Sequence, residues 1–124
     1  MDLNEEKGKR HWVFADGDLP PSGEKEPFGH EALMVVNLNK EEAKLSIDIL
    51  FEDKDPVKGI KQTLKGERVV CIRLDKPIGE QRYEIPKGQY ALVLNSTIPV
   101  IAVFGRLDVR QSNLAYYSVQ GYSF

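Results

Sequence analysis

Lys44-Leu45-Ser46-Ile47-Asp48-Ile49-Leu50-Phe51-Glu52 places an apolar residue at every second position, so Leu45, Ile47, Ile49 and Phe51 share one face of an extended chain. That period of two is the signature of a half-buried β-strand, and no helix can present these four side chains together. Just upstream, His30 to Leu38 reads as a second, more fully apolar strand. Asn39-Lys40-Glu41-Glu42 between them supplies turn chemistry, which makes the pair the clearest hairpin in the chain.

Working outward, the same short-strand pattern recurs. A first strand is predicted from about Arg10 to Ala15, ended by Asp16-Gly17-Asp18 and the breaker Leu19-Pro20-Pro21-Ser22-Gly23. Residues 17–29, rich in proline and glycine, read as a long ordered loop, and long loops in compact domains are often functional. After Asp53-Lys54-Asp55-Pro56 come Val57 to Leu64, Arg68 to Leu74, a short extended piece at Tyr83 to Ile85, then Tyr90 to Asn95, Ile98 to Leu107 and Leu114 to Val119. Eight or nine short strands at near-even spacing predict an all-β chain: a single-domain antiparallel β-sandwich, jelly-roll-like in character. The chain has 124 residues, 41% of them hydrophobic, which suits one domain with its own core. Residues 1–9 read as a flexible tail and 10–124 as the sandwich.

Composition narrows the function. A formal net charge of -2 gives no general attraction to nucleic acid, and the basic run Lys7-Gly8-Lys9-Arg10-His11 is diluted by Glu5 and Glu6, so strong nucleic-acid binding is not expected. The sole cysteine, Cys71, rules out a disulfide within one chain and fits a reducing compartment. No apolar run is long enough to span a bilayer as a helix, and no signal-like start is seen, so the expected location is the cytoplasm. Metal binding is not expected, because His11 and His30 are the only histidines and neither has a partner at ligand spacing. Neither a nucleophile elbow nor a glycine-rich phosphate loop is present, and the carboxylates Glu31, Asp53 and Asp108 cannot be paired by spacing. The reading is therefore a non-enzymatic chain without a cofactor.

Polar residues in apolar settings mark candidate binding positions. Arg106, Asp108 and Arg110 alternate with Leu107 and Val109, so the three charges share a face. They form either a pocket wall suited to a polyhydroxylated or carboxylated small molecule or a salt-bridge ladder at an edge or subunit interface. Trp12, the only tryptophan, offers an indole face to a sugar or an anchor to the core. Asn37, set among apolar residues, needs a hydrogen-bond partner. Adjacent His30 and Glu31 project to opposite faces, so at most one lines a given pocket. The aromatic finish Tyr116, Tyr117, Tyr122 and Phe124 reads as a packing segment, against its own domain or a neighbouring subunit.

Taken together, Trp12 with Gly17-Asp18-Leu19-Pro20, Gly29-His30-Glu31 leading to Asn37, Asp53-Lys54-Asp55-Pro56, and Arg106-Leu107-Asp108 followed by Arg110-Gln111 resemble, in order and across nearly the whole chain, the sensory rhodopsin transducer family. The resemblance implies an antiparallel β-sandwich that assembles as a homotetramer and binds a small polar ligand, a sugar or related metabolite, without catalysing a reaction. It implies as the alternative an adaptor that relays signals from a membrane photoreceptor or another receptor. By the same resemblance Trp12, His30, Glu31, Asn37, Arg106 and Asp108 are the ligand-binding positions. One departure is Gly29, where the family pattern favours serine.

Overall fold

The computed structural model describes residues 7–110 and 114–124. Most of the predicted tail, and Gln111, lie outside them. Among the described residues there are eight strands and no helix: β1 (Lys9–Asp18), β2 (His30–Asn37), β3 (Ala43–Phe51), β4 (Val57–Leu64), β5 (Arg68–Arg73), β6 (Gln89–Asp108), β7 (Ala115–Val119) and β8 (Tyr122–Ser123). Every pairing is antiparallel. The all-β reading holds, and β2, β3, β4, β5 and β7 fall within a residue of their predicted bounds.

The predicted strands Tyr90 to Asn95 and Ile98 to Leu107 are in fact one strand of 20 residues. The first part of β6 lies between β3 and β1, with Leu94 opposite both Ile47 and Trp12. Its second part, from Ile101, lies between β2 and β7. Thus β4-β3-β6-β1-β8 and β5-β2-β6-β7 are two halves of one sheet, joined through β6. Pro99 falls at the changeover between these neighbours, where its missing N–H leaves no ladder bond unmade. The carbonyls there are met by side chains: Asn39 Nδ2 donates to Pro99 O at 2.8 Å and Trp12 Nε1 to Val100 O at 3.2 Å.

β6 must turn a corner at this point. Tyr90 and Arg106 both bond the same Glu31 carboxylate, although sixteen residues of straight strand would hold them about 50 Å apart. The two halves therefore face each other as the layers of a sandwich, as happens where a strand switches layers at a bend. The even positions of β6 point inward along its length, and Leu92, Leu94, Val100 and Phe104 join Phe14, Leu33, Val35, Ile47, Ile49 and Ile72 in a single core. Phe14 and Phe104 meet across the layers at 5.5 Å.

Two further sequence readings are corrected. β1 runs on through Gly17 and Asp18 rather than ending before them, because Gly17 lies under the Tyr90 ring, where a Cβ would come within 2.5 Å of it. Tyr83 to Ile85 forms no strand, only an isolated bridge from Tyr83 to Ile78.

Leu94 is wholly buried where β1, β3 and β6 meet. Leu94→Ala is expected to lower stability by about 2–5 kcal/mol, seen as a fall in the urea midpoint at unchanged slope.

Candidate functional site

The sandwich has a corner end, where β6 turns, and an open end, where β1 finishes, β2 begins and β6 finishes. The predicted site residues divide between them. Trp12 and Asn37 belong to the corner end. Trp12 Nε1 donates to Lys9 O and Val100 O, and its ring stacks on Phe14. Asn37 Nδ2 donates to Glu41 O at 2.8 Å and to Leu64 O at 3.3 Å, while its Oδ1 accepts from the Asn39 N–H. The cost of burying the amide is thereby met by backbone groups of two turns, a structural use. Six residues along β2 from Glu31, and with Trp12 bound to a carbonyl six residues before Arg106, these two sit about 20 Å along the strands from the other four.

His30, Glu31, Arg106 and Asp108 gather at the open end. Glu31 and Arg106 are directly opposite on β2 and β6, and both face inward. Glu31 has no solvent exposure at all. Its carboxylate accepts from Arg106 Nε at 2.7 Å, from Tyr90 Oη at 2.6 Å and from the backbone N–H of Asp18 at 3.0 Å. Arg106 donates onward, to Asp16 O at 2.7 Å and to Tyr117 Oη at 2.9 Å, and its guanidinium lies 5.3 Å from the Tyr117 ring centre. No buried side-chain nitrogen or oxygen among the described residues lacks a partner.

The electrostatics follow from the burial. Burial and then the Glu31 charge push the Tyr90 phenol far above its usual range, so it stays a proton donor to the carboxylate. For Arg106 burial is the largest influence and disfavours the cation, but hydrogen bonds to Tyr117 and Glu31, with the attraction of Glu31 and Tyr117, favour it and the net shift is upward. The open end thus holds a buried carboxylate and a guanidinium that bond each other and further groups inside the protein.

The period-two ladder of Arg106, Asp108 and Arg110 is consequently split. Arg106 turns to Glu31, whereas Asp108 forms an ion pair with Arg110. The hydrogen bonds from the Arg110 side chain, and secondly from its backbone N–H, lower the Asp108 pKa to about 2. Asp108, Arg110, Ala115 and Tyr117 line a cleft of about 310 Å³. His30 projects to the outer side, as the strand alternation requires, with Nδ1 2.8 Å from Phe28 O. With Glu26, Pro27, Phe28 and Arg73 it lines a second cleft, of about 490 Å³. A third, of about 510 Å³, lies between residues 23–27 and the pair Val109 and Leu114. The second and third clefts are both lined by the loop that the sequence singles out between β1 and β2. At Gly29 a Cβ would stand 2.2 Å from the Pro21 carbonyl oxygen, so the glycine permits this loop to close on itself.

Sequence reasoning missed Tyr90 and Tyr117. Tyr90 was legible in principle: it shares the inward face of β6 with Leu92 and Leu94, and a buried phenol needs a hydrogen-bond partner.

Removing one member of the Glu31–Arg106 pair leaves the other charge buried without its counter-ion. Arg106→Ala is expected to lower stability by about 3–5 kcal/mol. Addition of Glu31→Gln should cost much less than it does alone, and equilibrium unfolding of the two single variants and the double variant measures that coupling.

A family model described as Anabaena sensory rhodopsin transducer matches residues 7–123. Among solved structures, the Thermotoga maritima protein 1070 is 31% identical, with a TM-score of 0.82 over 94% of this chain and 96% of that one. The Anabaena sensory rhodopsin transducer is 29% identical, with a TM-score of 0.72 over 88% of this chain and 96% of that one. No curated protein matches.

Proposed function

Because this chain belongs to the Anabaena sensory rhodopsin transducer family, we propose that it is a non-enzymatic signal-relay adaptor. In this reading it works in the cytoplasm as a homotetramer and docks on the inner face of a membrane receptor. No helix among the described residues is long and apolar enough to cross a membrane itself.

The observation that carries this reading is the outward face of β5, β2 and β6. Val69 is 68% exposed, Ile101 41% and Val103 45%. Cross-strand register sets Val36 between Val69 and Ile101, and Met34 between Cys71 and Val103. Six neighbouring apolar or thiol side chains without a charge among them form a surface suited to protein contact. Covering it with other copies of the chain leaves the charged open end, with Glu24, Lys25, Glu26 and Arg110, to meet the receptor. Light scattering at micromolar concentration is expected to give a tetramer, and Ile101→Glu with Val103→Glu to reduce its mass while the β-sheet circular dichroism persists. A monomeric parent chain would overturn the assembly. For the adaptor role, the tetramer is expected to bind a microbial sensory rhodopsin held in nanodiscs, weakening as salt is raised; no binding even at low salt would count against it.

A second reading, binding of a sugar or similar polar metabolite, is favoured by one specific feature. In the cleft beside Tyr117, Arg110 keeps Asp108 ionised and oriented, and a carboxylate paired with a guanidinium suits ligand hydroxyls. A thermal-shift screen of sugars and sugar acids is expected to raise the melting temperature for a subset, and Asp108→Asn to abolish that rise. Asp108 is the informative position, since loss of Arg106 would weaken the fold itself.

A further inference from the structure

The molecule covers its two outer edges on the β4-β3-β6-β1-β8 side in different ways. At β4 a folded-in segment substitutes for a strand: the Glu80 N–H donates to Lys61 O, the Lys61 N–H to Gln81 Oε1, and Gln81 Nε2 to Gly59 O. At β1 the cover is only the two-residue strand β8 and Phe124 beside it. Tyr122 and Ser123 pair with Val13 and Trp12, and His11 and Phe124 exchange backbone bonds of 3.0 and 2.9 Å.

This short cover buries little of itself. Tyr122 is 69% exposed and Phe124 59%, and their rings pack on each other and on the His11 ring rather than into the core. Firm anchoring stops one residue earlier. Val119 is buried opposite Phe104, and Gly121 lies so close to the Phe14 ring that a Cβ would come within 2.4 Å of it. A three-residue ribbon with solvated side chains belongs to the least stable part of a fold and opens without disturbing the rest.

We propose that residues 122–124 are a displaceable cover, and that the edge of β1 at His11–Val13 is a docking strip for an extended peptide of a partner protein. Opening frees two N–H and two C=O groups, of His11 and Val13, which an antiparallel strand can pair. The native cover defines the chemistry of the occupant: an extended segment with aromatic residues two apart and a small polar residue between them. One aromatic ring stacks on His11, the second covers Val13, and the small residue passes opposite Trp12. Strand addition of this kind draws affinity from the backbone and specificity from the alternate side chains.

Trp12 is the only tryptophan, and it sits directly opposite Ser123, so its fluorescence reports the strip. In the intact chain, amide exchange at His11 and Val13 is expected to be at least tenfold faster than at Leu92 and Leu94. A synthetic peptide with the sequence of residues 119–124 is expected to shift Trp12 fluorescence saturably, and to do so more tightly in a chain ending at Gly121. The same peptide with both aromatics replaced by alanine should not. In the intact chain carrying His11→Cys and Phe124→Cys, oxidation should abolish the response and reduction restore it. Exchange at His11 and Val13 as slow as at Leu92 would overturn the proposal, as would a folded chain ending at Gly121 that ignores the peptide. A loss of oligomer mass on removal of residues 122–124 would assign the segment to exchange between copies, and would equally overturn it.

Discussion

One carboxylate, that of Glu31, organises the open end of this protein. It sits in β2 with no access to solvent, and its hydrogen-bond donors come from β1 and from both parts of β6. Because Tyr90 and Arg106 lie on opposite sides of the β6 corner, their meeting at Glu31 fixes how far the two sheet halves close on each other. A buried ion pair is a weak source of net stability, since desolvation offsets most of the attraction. Its value here is geometric: an apolar replacement could fill the same volume, but it would not specify which residue of β1 meets which residue of β6. Arg106 carries that specification outward, through Asp16 to the end of β1 and through Tyr117 to β7.

The strands were legible because burial on one side imposes a period of two, and Leu45 to Phe51 displays it without interruption. The corner was not legible. Ser96, Thr97 and Pro99 look locally like a turn, and nothing local distinguishes a chain that reverses from one strand that changes neighbours. Only the identity of the partners decides, and partners are far away in sequence. β8 escaped for the opposite reason: two residues carry no periodicity, and their pairing depends on where the edge of β1 happens to lie.

The candidate site shows the same division. That Asn37 must be hydrogen-bonded, and that His30 and Glu31 must part company, followed from strand geometry and the cost of a buried amide. That Arg106 would abandon Asp108 for Glu31 did not, because same-face neighbours two apart compete with a residue directly opposite on the next strand. The opposite residue wins here since it is the one fully out of water, where an unpaired charge is most costly. The resemblance to a family grouped six residues as ligand-binding positions, and in the fold Trp12 and Asn37 lie at the corner end, apart from the other four.

At the open end, Tyr117 touches both the buried pair and a surface cleft. Its hydroxyl accepts from Arg106, its ring lies near the guanidinium, and with Asp108 and Arg110 it lines the 310 Å³ cleft. Whatever occupies that cleft therefore acts on an element whose displacement removes a partner from a nearly buried cation. Such a loss is worth about 1–3 kcal/mol, enough to bias how β7 sits against β6 but too little to unfold the domain. A buried ion pair and a surface cleft joined through the Tyr117 phenol form an arrangement in which an external contact can be felt inside the open end of the sandwich without the interior ever being opened.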